Sequence, residues 1–244
     1  MAINTGSFAK ALWPGVNSWY GQAYDEHGVE YTDLFNTESS RKAYEEDMGT
    51  SMFGLAAVKP EGGQITYDTA QQGFLTRYTH VTYGLGFIIT REMVDDDLYD
   101  IIGKKRAQGL AFSMRQTKEI IAANVYNNAF DSTYSGGDGK ELLATDHPTI
   151  MGAAFANENT AATLSEASLE DLSIDIMQAK NDRGLNISLI PDCLIINPEL
   201  VYEADRILNS PLRVGTANND LNALRNMGKF PGGVKVNHYL TSST

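Results

Sequence analysis

From Thr90 to Phe130 the chain runs without a proline, and most of this stretch reads as one long helix. Apolar residues recur at Leu98, Ile101, Ile102, Leu110, Met114, Ile121 and Val125, mostly at spacings of three, four or seven. Thr90 is placed to cap the start, and Asp95, Asp96 and Asp97 sit where an N-terminal helix dipole favours negative charge. Lys104, Lys105 and Arg106 follow about two turns later, within reach of pairing along the helix. A helix of roughly 35 to 40 residues would extend about 50 to 60 Å, more than the width of a compact domain. With so narrow an apolar stripe it is a strut rather than a core helix. Gly103 and Gly109 each cost about 1 kcal/mol relative to alanine, so a bend is expected there.

Composition removes several classes of function. The chain has 244 residues, enough for one large domain or two small ones with a buried core. Its 31 acidic and 19 basic residues leave a net charge of -12. That balance argues against a phosphate-gripping face and against docking on anionic membranes. No apolar run approaches the 18 or more residues of a membrane span, and the N-terminus lacks the pattern of a signal peptide. A single cysteine, Cys193, excludes an intrachain disulfide framework and makes the cytoplasm the expected compartment.

The first fifty residues show little periodicity. Ala11-Leu12-Trp13-Pro14-Gly15-Val16 and Trp19-Tyr20-Gly21 are aromatic clusters broken by glycine and proline, and Tyr44 to Gly49 continues in the same irregular style. Aromatics on an arm with no element of its own anchor it to the body of its subunit or to a neighbour.

Residues 53 to 89 read as a long hairpin. Lys59-Pro60-Glu61-Gly62-Gly63 has turn chemistry, Gln64 to Asp68 reads as a strand, and Asp68 to Gly73 offers a second turn. Phe74 to Tyr83 is rich in strand formers, yet its alternation gives neither face a clean inside. Such a strand suits a projection that meets different surfaces on its two sides.

Beyond Phe130, Ser132 to Lys140 is a loop, and Thr145-Asp146-His147-Pro148 leads to a small-residue loop at Ala153 to Ala162. A second unit begins near Leu164. Ser165 or Ser168 caps a helix with Leu169, Leu172, Ile176 and Ala179 on its apolar face, stopped by Gly184. Ile187 to Pro191 and Cys193 to Ile196 read as strand and strand-like connection. Asn197-Pro198-Glu199 starts a helix through Leu208, Val214 to Asp220 is a loop, and Val234 to Leu240 is a final strand. This half is α/β in character.

The residues offer no catalytic constellation. His27, His80, His147 and His238 are scattered at spacings that suit no metal. Consecutive aspartates at 95–97 fan around a helix axis by about 100° each, which fits helix-start electrostatics better than a cation site. Gly136-Gly137-Asp138-Gly139 has no strand before it and no Gly-Lys-Ser/Thr after it, so it is not a phosphate loop. His147 is the best single candidate for chemistry, with a histidine satisfied by local hydrogen bonds as the simpler reading. No catalytic, cofactor or metal residue is assigned.

An aromatic arm, a two-faced hairpin, a strut helix and then an α/β unit resemble, in that order, the tailed-bacteriophage major capsid protein. The likeness is greatest to the major head subunit of Mu-like phages and prophages. It is carried by Leu12-Trp13-Pro14-Gly15-Val16, Lys42 to Asp47, Tyr83 to Glu92, Ala111 to Glu119 and Ser210 to Asp220. The resemblance implies an α+β capsid fold: an N-terminal arm at 1–52, an extended β-hairpin loop at 53–89, a peripheral domain with the spine helix at 90–162, and an α/β axial domain from 163 to 244. Chains of that family continue past the strand at Tyr239, so the axial domain is expected to be incomplete at its C-terminus.

The implied function is a structural subunit of an icosahedral head that assembles through hexamers and pentamers around DNA, without sequence-specific contact. Scaffolding and portal proteins are the implied partners, and assembly in the host cytoplasm into a virion capsid is the implied course. The expected intersubunit contacts are Trp13, Trp19, Tyr20, Lys59, Glu61, Tyr67, Phe74, Arg77, Tyr78 and Arg213. A bacterial nanocompartment shell enclosing cargo enzymes is the alternative of the same fold. A small hydrolase using His147 or Cys193 is the alternative of another class.

Overall fold

The computed structural model describes residues 9–90, 92, 96, 99–213 and 220–241, with the side chains of 9–14, 99 and 100 outside the description. Two compact units divide the chain, one formed by Met1–Thr37 with Val81–Asn124 and the other by Glu38–His80 with Val125–Thr244.

In the first unit the strut helix is present, and among the described residues its regular α-helical part begins at Lys104. The α-helical part, α3, is Lys104–Asn127, 24 residues or about 36 Å. A π-helical turn at Tyr99–Gly103 precedes it, so the break in regular geometry falls at one of the two glycines expected to bend the helix. Upstream, Asp96 N–H bonds Glu92 O in a single helical turn; Asp95, Asp97 and Leu98 lie outside the described residues. At the other end, Ala129 N–H turns back to Tyr126 O and Asp131 N–H to Asn128 O, which stops the helix before Phe130.

The buried face of α3 is not the apolar stripe. Ala107, Ala111, Arg115, Glu119 and Ala123 are the buried residues, one every four, whereas Ile101, Ile121 and Val125 are exposed. Small side chains let backbone approach closely, and the two charged ones are buried because they are bonded. Arg115 lies 3.8 Å over the Tyr24 ring and donates to Tyr24 O at 2.9 Å. The Glu119 carboxylate accepts the Glu30 N–H at 3.2 Å and the Tyr31 N–H at 2.9 Å, at the start of a short helix α2, Tyr31–Leu34.

The N-terminal region therefore has an element that the sequence hides. An 18-residue helix α1, Ala9–Glu26, contains Pro14, Gly15 and Gly21, and these obscured its periodicity. His27 meets Phe112 at 4.8 Å between ring centroids and Lys118 Nζ lies 4.6 Å from the Tyr31 ring, so residues 24–31 dock on α3 of their own subunit.

The second unit holds the hairpin, whose legs are not the expected ones. β1, Tyr44–Thr50, lies in the segment read as irregular. It pairs antiparallel with β2, Gln72–Thr79, from Tyr44 opposite Thr79 to Thr50 opposite Gln72, with a bulge after Met48. Gln64 to Asp68 forms no strand: β2 is occupied by β1, and no other partner is present among the described residues. Residues 51–71 are thus one long connection, with a turn closed by Gly63 N–H to Pro60 O at 3.0 Å.

Further along, a two-residue pair joins β3, His147–Pro148, to β4, Ala154–Phe155. Helix α4, Glu166–Met177, starts at Ser165, which forms a capping box with Ser168. Ile187 to Pro191 is not a strand; Asn186 makes one isolated bridge to Lys180. β5, Cys193–Ile196, leads through Asn197 and a 3₁₀ turn, Pro198–Leu200, into α5, Val201–Asn209. Asn222 caps a short α6, Ala223–Asn226, and β6, Gly233–Val236, returns parallel to β5. Leu169, Ile207, Leu224 and Phe230 form the core, flanked by Leu164, Leu194 and Leu208.

Replacing Leu169, which is 2% exposed, by alanine is expected to destabilise the fold by about 3 kcal/mol in denaturant titration. Glu119→Ala, which strands two amides and leaves a cavity, is expected to cost about 2 to 3 kcal/mol by the same measurement.

Candidate functional site

The hairpin carries more apolar surface than it can bury. Along β2, Phe74, Leu75 and Tyr78 are all exposed, so neither face has an interior. The connection adds Phe53, Leu55, Val58, Ile65 and Tyr67, with Leu55 84%, Val58 95% and Tyr67 89% exposed. Patches of this kind mark surfaces that another molecule covers.

What holds the hairpin is a set of close supports from the rest of its unit. A Cβ on Gly73 would lie 2.7 Å from Ile150 Cδ1 and 2.8 Å from Gly49 O. One on Gly137 would overlap Thr76 Oγ1 and lie 2.9 Å from Leu75 O. Only glycine lets the 136–140 loop reach the β2 backbone. Across the ladder, Arg77 Nε donates to Glu46 at 2.8 Å directly opposite it and its guanidinium lies 4.4 Å over the Tyr44 ring.

His147 ties these supports together. Its Nδ1 lies 2.7 Å from Asp138 Oδ2 and its Nε2 3.1 Å from Asn157 Oδ1, while its ring stacks on Phe155 at 5.0 Å. Asn157 is itself fixed, accepting the Ala144 N–H at 2.9 Å and donating to Leu142 O at 2.9 Å. Asp138 sits in the loop that touches β2, and His147 begins the strand that leads to Ile150. Burial pushes the Asp138 carboxyl up, but the bonds from His147 and the Lys140 N–H outweigh it and hold it below the ordinary aspartate range. At the foot of the connection, the Gly54 and Thr69 N–H groups bond Asp68 and likewise lower its carboxyl.

The residues expected at subunit contacts fall in three groups. Lys59, Glu61, Tyr67, Phe74 and Tyr78 are all exposed on the hairpin. Trp19 and Tyr20 are half-buried on α1, where Tyr20 stacks on Tyr24 at 5.8 Å; the Trp13 side chain lies outside the described residues. Arg77 and Arg213 are engaged within the chain, Arg77 with Glu46 and Arg213 with the buried Glu166 at 3.3 Å. Both His147 nitrogens are engaged within the chain, Nδ1 with Asp138 and Nε2 with Asn157. Cys193 is half-buried in β5 opposite Gly233. No cluster of three metal-binding side chains, and no helix long and apolar enough to cross a membrane, occurs among the described residues.

Solved structures share this architecture. The chain is similar to a subunit in the procapsid of bacteriophage JBD30, with a TM-score of 0.62 at 13% identity, over 97% of this chain and 100% of that one. It is also similar to one in the bacteriophage JBD30 capsid, with a TM-score of 0.65 at 11% identity, over 83% of this chain and 88% of that one. At such identities the likeness defines a fold, the α+β fold of a phage capsid subunit. The profile of the phage capsid protein family matches residues 74–244, and the chain belongs to that family. It is a structural protein of the phage head shell. None of the curated proteins matches it.

Two outcomes test the supports. Gly137→Ala is expected to displace β2 and to raise amide exchange across the β1–β2 ladder while the core around Leu169 keeps its protection. Because the Asp138 carboxyl is lowered in the fold, its contribution is present above the ordinary aspartate pKa and is lost as pH falls through the folded value. Stability measured from pH 6 down to pH 3 should therefore fall more steeply for the native chain than for Asp138→Asn.

Proposed function

We propose that the chain is the major head subunit of a tailed phage, of the Mu-like kind that its sequence resembles. It assembles with copies of itself, as hexamers and pentamers, into an icosahedral shell around DNA. The observation that carries this reading is the hairpin connection at 51–71, which holds large apolar side chains in the open on a polar-tied base. Burying them on a neighbouring copy, at about 25 cal/mol per Å2, supplies a driving force that the lone subunit cannot use. The similarity to subunits of the JBD30 procapsid and capsid supports the same reading.

By role, residues 1–52 serve as the arm, 53–89 as the extended loop, 90–162 as the peripheral domain and 163–244 as the axial domain. Trp19, Tyr20, Lys59, Glu61, Tyr67, Phe74 and Tyr78 are proposed as intersubunit contacts, with Trp13 on the same helix as Trp19. Arg77 and Arg213 are proposed at the rim, where each keeps its own carboxylate. Scaffolding and portal proteins are the further partners, and assembly proceeds in the host cytoplasm without catalysis by this chain.

Replacing residues 56–66 with a short Gly-Ser linker removes the exposed tip and spares β2. This variant is expected to keep the native melting temperature and to yield no shells by electron microscopy and light scattering. Normal particles from it would refute the assignment of the loop to assembly.

A further inference from the structure

We propose that the turn at Asn181–Gly184 is a clasp whose Arg183 side chain fixes the direction in which the 53–67 loop leaves the subunit. Residues 52 and 183 are far apart in sequence, yet Arg183 reaches both feet of the loop. Its Nε–H donates to Met52 O at 3.0 Å on the outgoing leg. Its Nη2 donates to Thr69 O at 3.0 Å and to Asp68 Oδ1 at 3.2 Å on the returning leg. Beside it, the Asp182 carboxylate accepts the Met52 N–H at 3.2 Å. Asp68 then joins the legs directly by accepting the Gly54 N–H at 2.9 Å and the Thr69 N–H at 2.8 Å.

The turn is built to hold this position. Asn181 Oδ1 accepts the Arg183 N–H at 3.0 Å and the Leu185 N–H at 2.8 Å, and Gly184 takes φ +77° to close it. A lone exposed ion pair contributes little. Here a planar guanidinium, only 19% exposed, serves two carbonyls and a carboxylate on two strands of chain at once, a geometry that lysine cannot reproduce. Between the feet, Leu55 to Tyr67 have no comparable support among the described residues, so the clasp decides where the loop points. Its importance for particle building rests on the assembly reading above; its effect on the loop does not.

The experiment compares chymotrypsin cleavage at Phe53 and Tyr67 in dispersed subunits of the native chain, Arg183→Ala and Arg183→Lys, with electron microscopy of each under assembly conditions. Arg183→Ala is expected to raise cleavage at both sites roughly tenfold or more, with Arg183→Lys between it and the native chain and the melting temperature little changed. Native cleavage rates in a folded Arg183→Ala subunit would overturn the proposal. Should Arg183→Ala not fold, Arg183→Lys carries the test: faster cleavage supports the clasp and an unchanged rate overturns it. A native chain that builds no particles yet shows the cleavage contrast would sink the shell reading and leave the clasp standing.

Discussion

The antiparallel ladder between Tyr44–Thr50 and Gln72–Thr79 is the contact on which the remaining arrangement depends. It gathers two legs that would otherwise wander and places the feet of a long connection side by side. A two-stranded ribbon is marginal in water on its own. This one is held by the glycine contacts at 73 and 137, by Ile150, and by the bonds of Asp138, His147 and Asn157 that link those supports. The buried His147 acts as a tie rod in that scaffold.

Burial is distributed in an unusual way across the two units. The long helix hides alanines and two bonded charges, while Ile121 and Val125 lie open. In the other unit a small cluster around Leu169 holds together residues of three helices and of the strand β5. Large apolar groups such as Leu55, Val58 and Tyr67 are displayed on the hairpin rather than enclosed. That distribution fits a subunit whose final stability comes partly from its neighbours, and the phage capsid family is where such a subunit belongs.

Local signals were legible where they act locally. Ser165 as a cap, Asn197-Pro198 as a helix start and the strand at 193–196 follow from propensity and turn chemistry, whereas the helix expected to run to Gly184 ends at Met177 and the strand expected over Val234 to Leu240 is Gly233–Val236. Pro14, Gly15 and Gly21 masked α1, whose periodicity they interrupt. β1 is hidden in the sequence because Tyr44 to Gly49 reads as irregular, and only pairing with β2 makes it a strand. Composition shows no break in the spine where the π turn and the 126–130 turns stand. The spine's buried face is hidden in the sequence because alanine and paired charges carry no hydrophobic signal. Nothing in Asn181-Asp182-Arg183-Gly184 beyond a turn pattern announces its reach to Met52 and Asp68.

The short distance between the loop's feet has an evolutionary consequence. With Gly54 N–H and Asp68 Oδ2 2.9 Å apart, the residues between them close a ring whose ends are already joined. Each doubling of such a ring costs only about 0.6 kcal/mol of closure entropy. Its length and composition can therefore drift, or accept grafted peptides, with almost no tax on the subunit that carries it. Lineages built on one interior can in this way diverge in how far each subunit reaches.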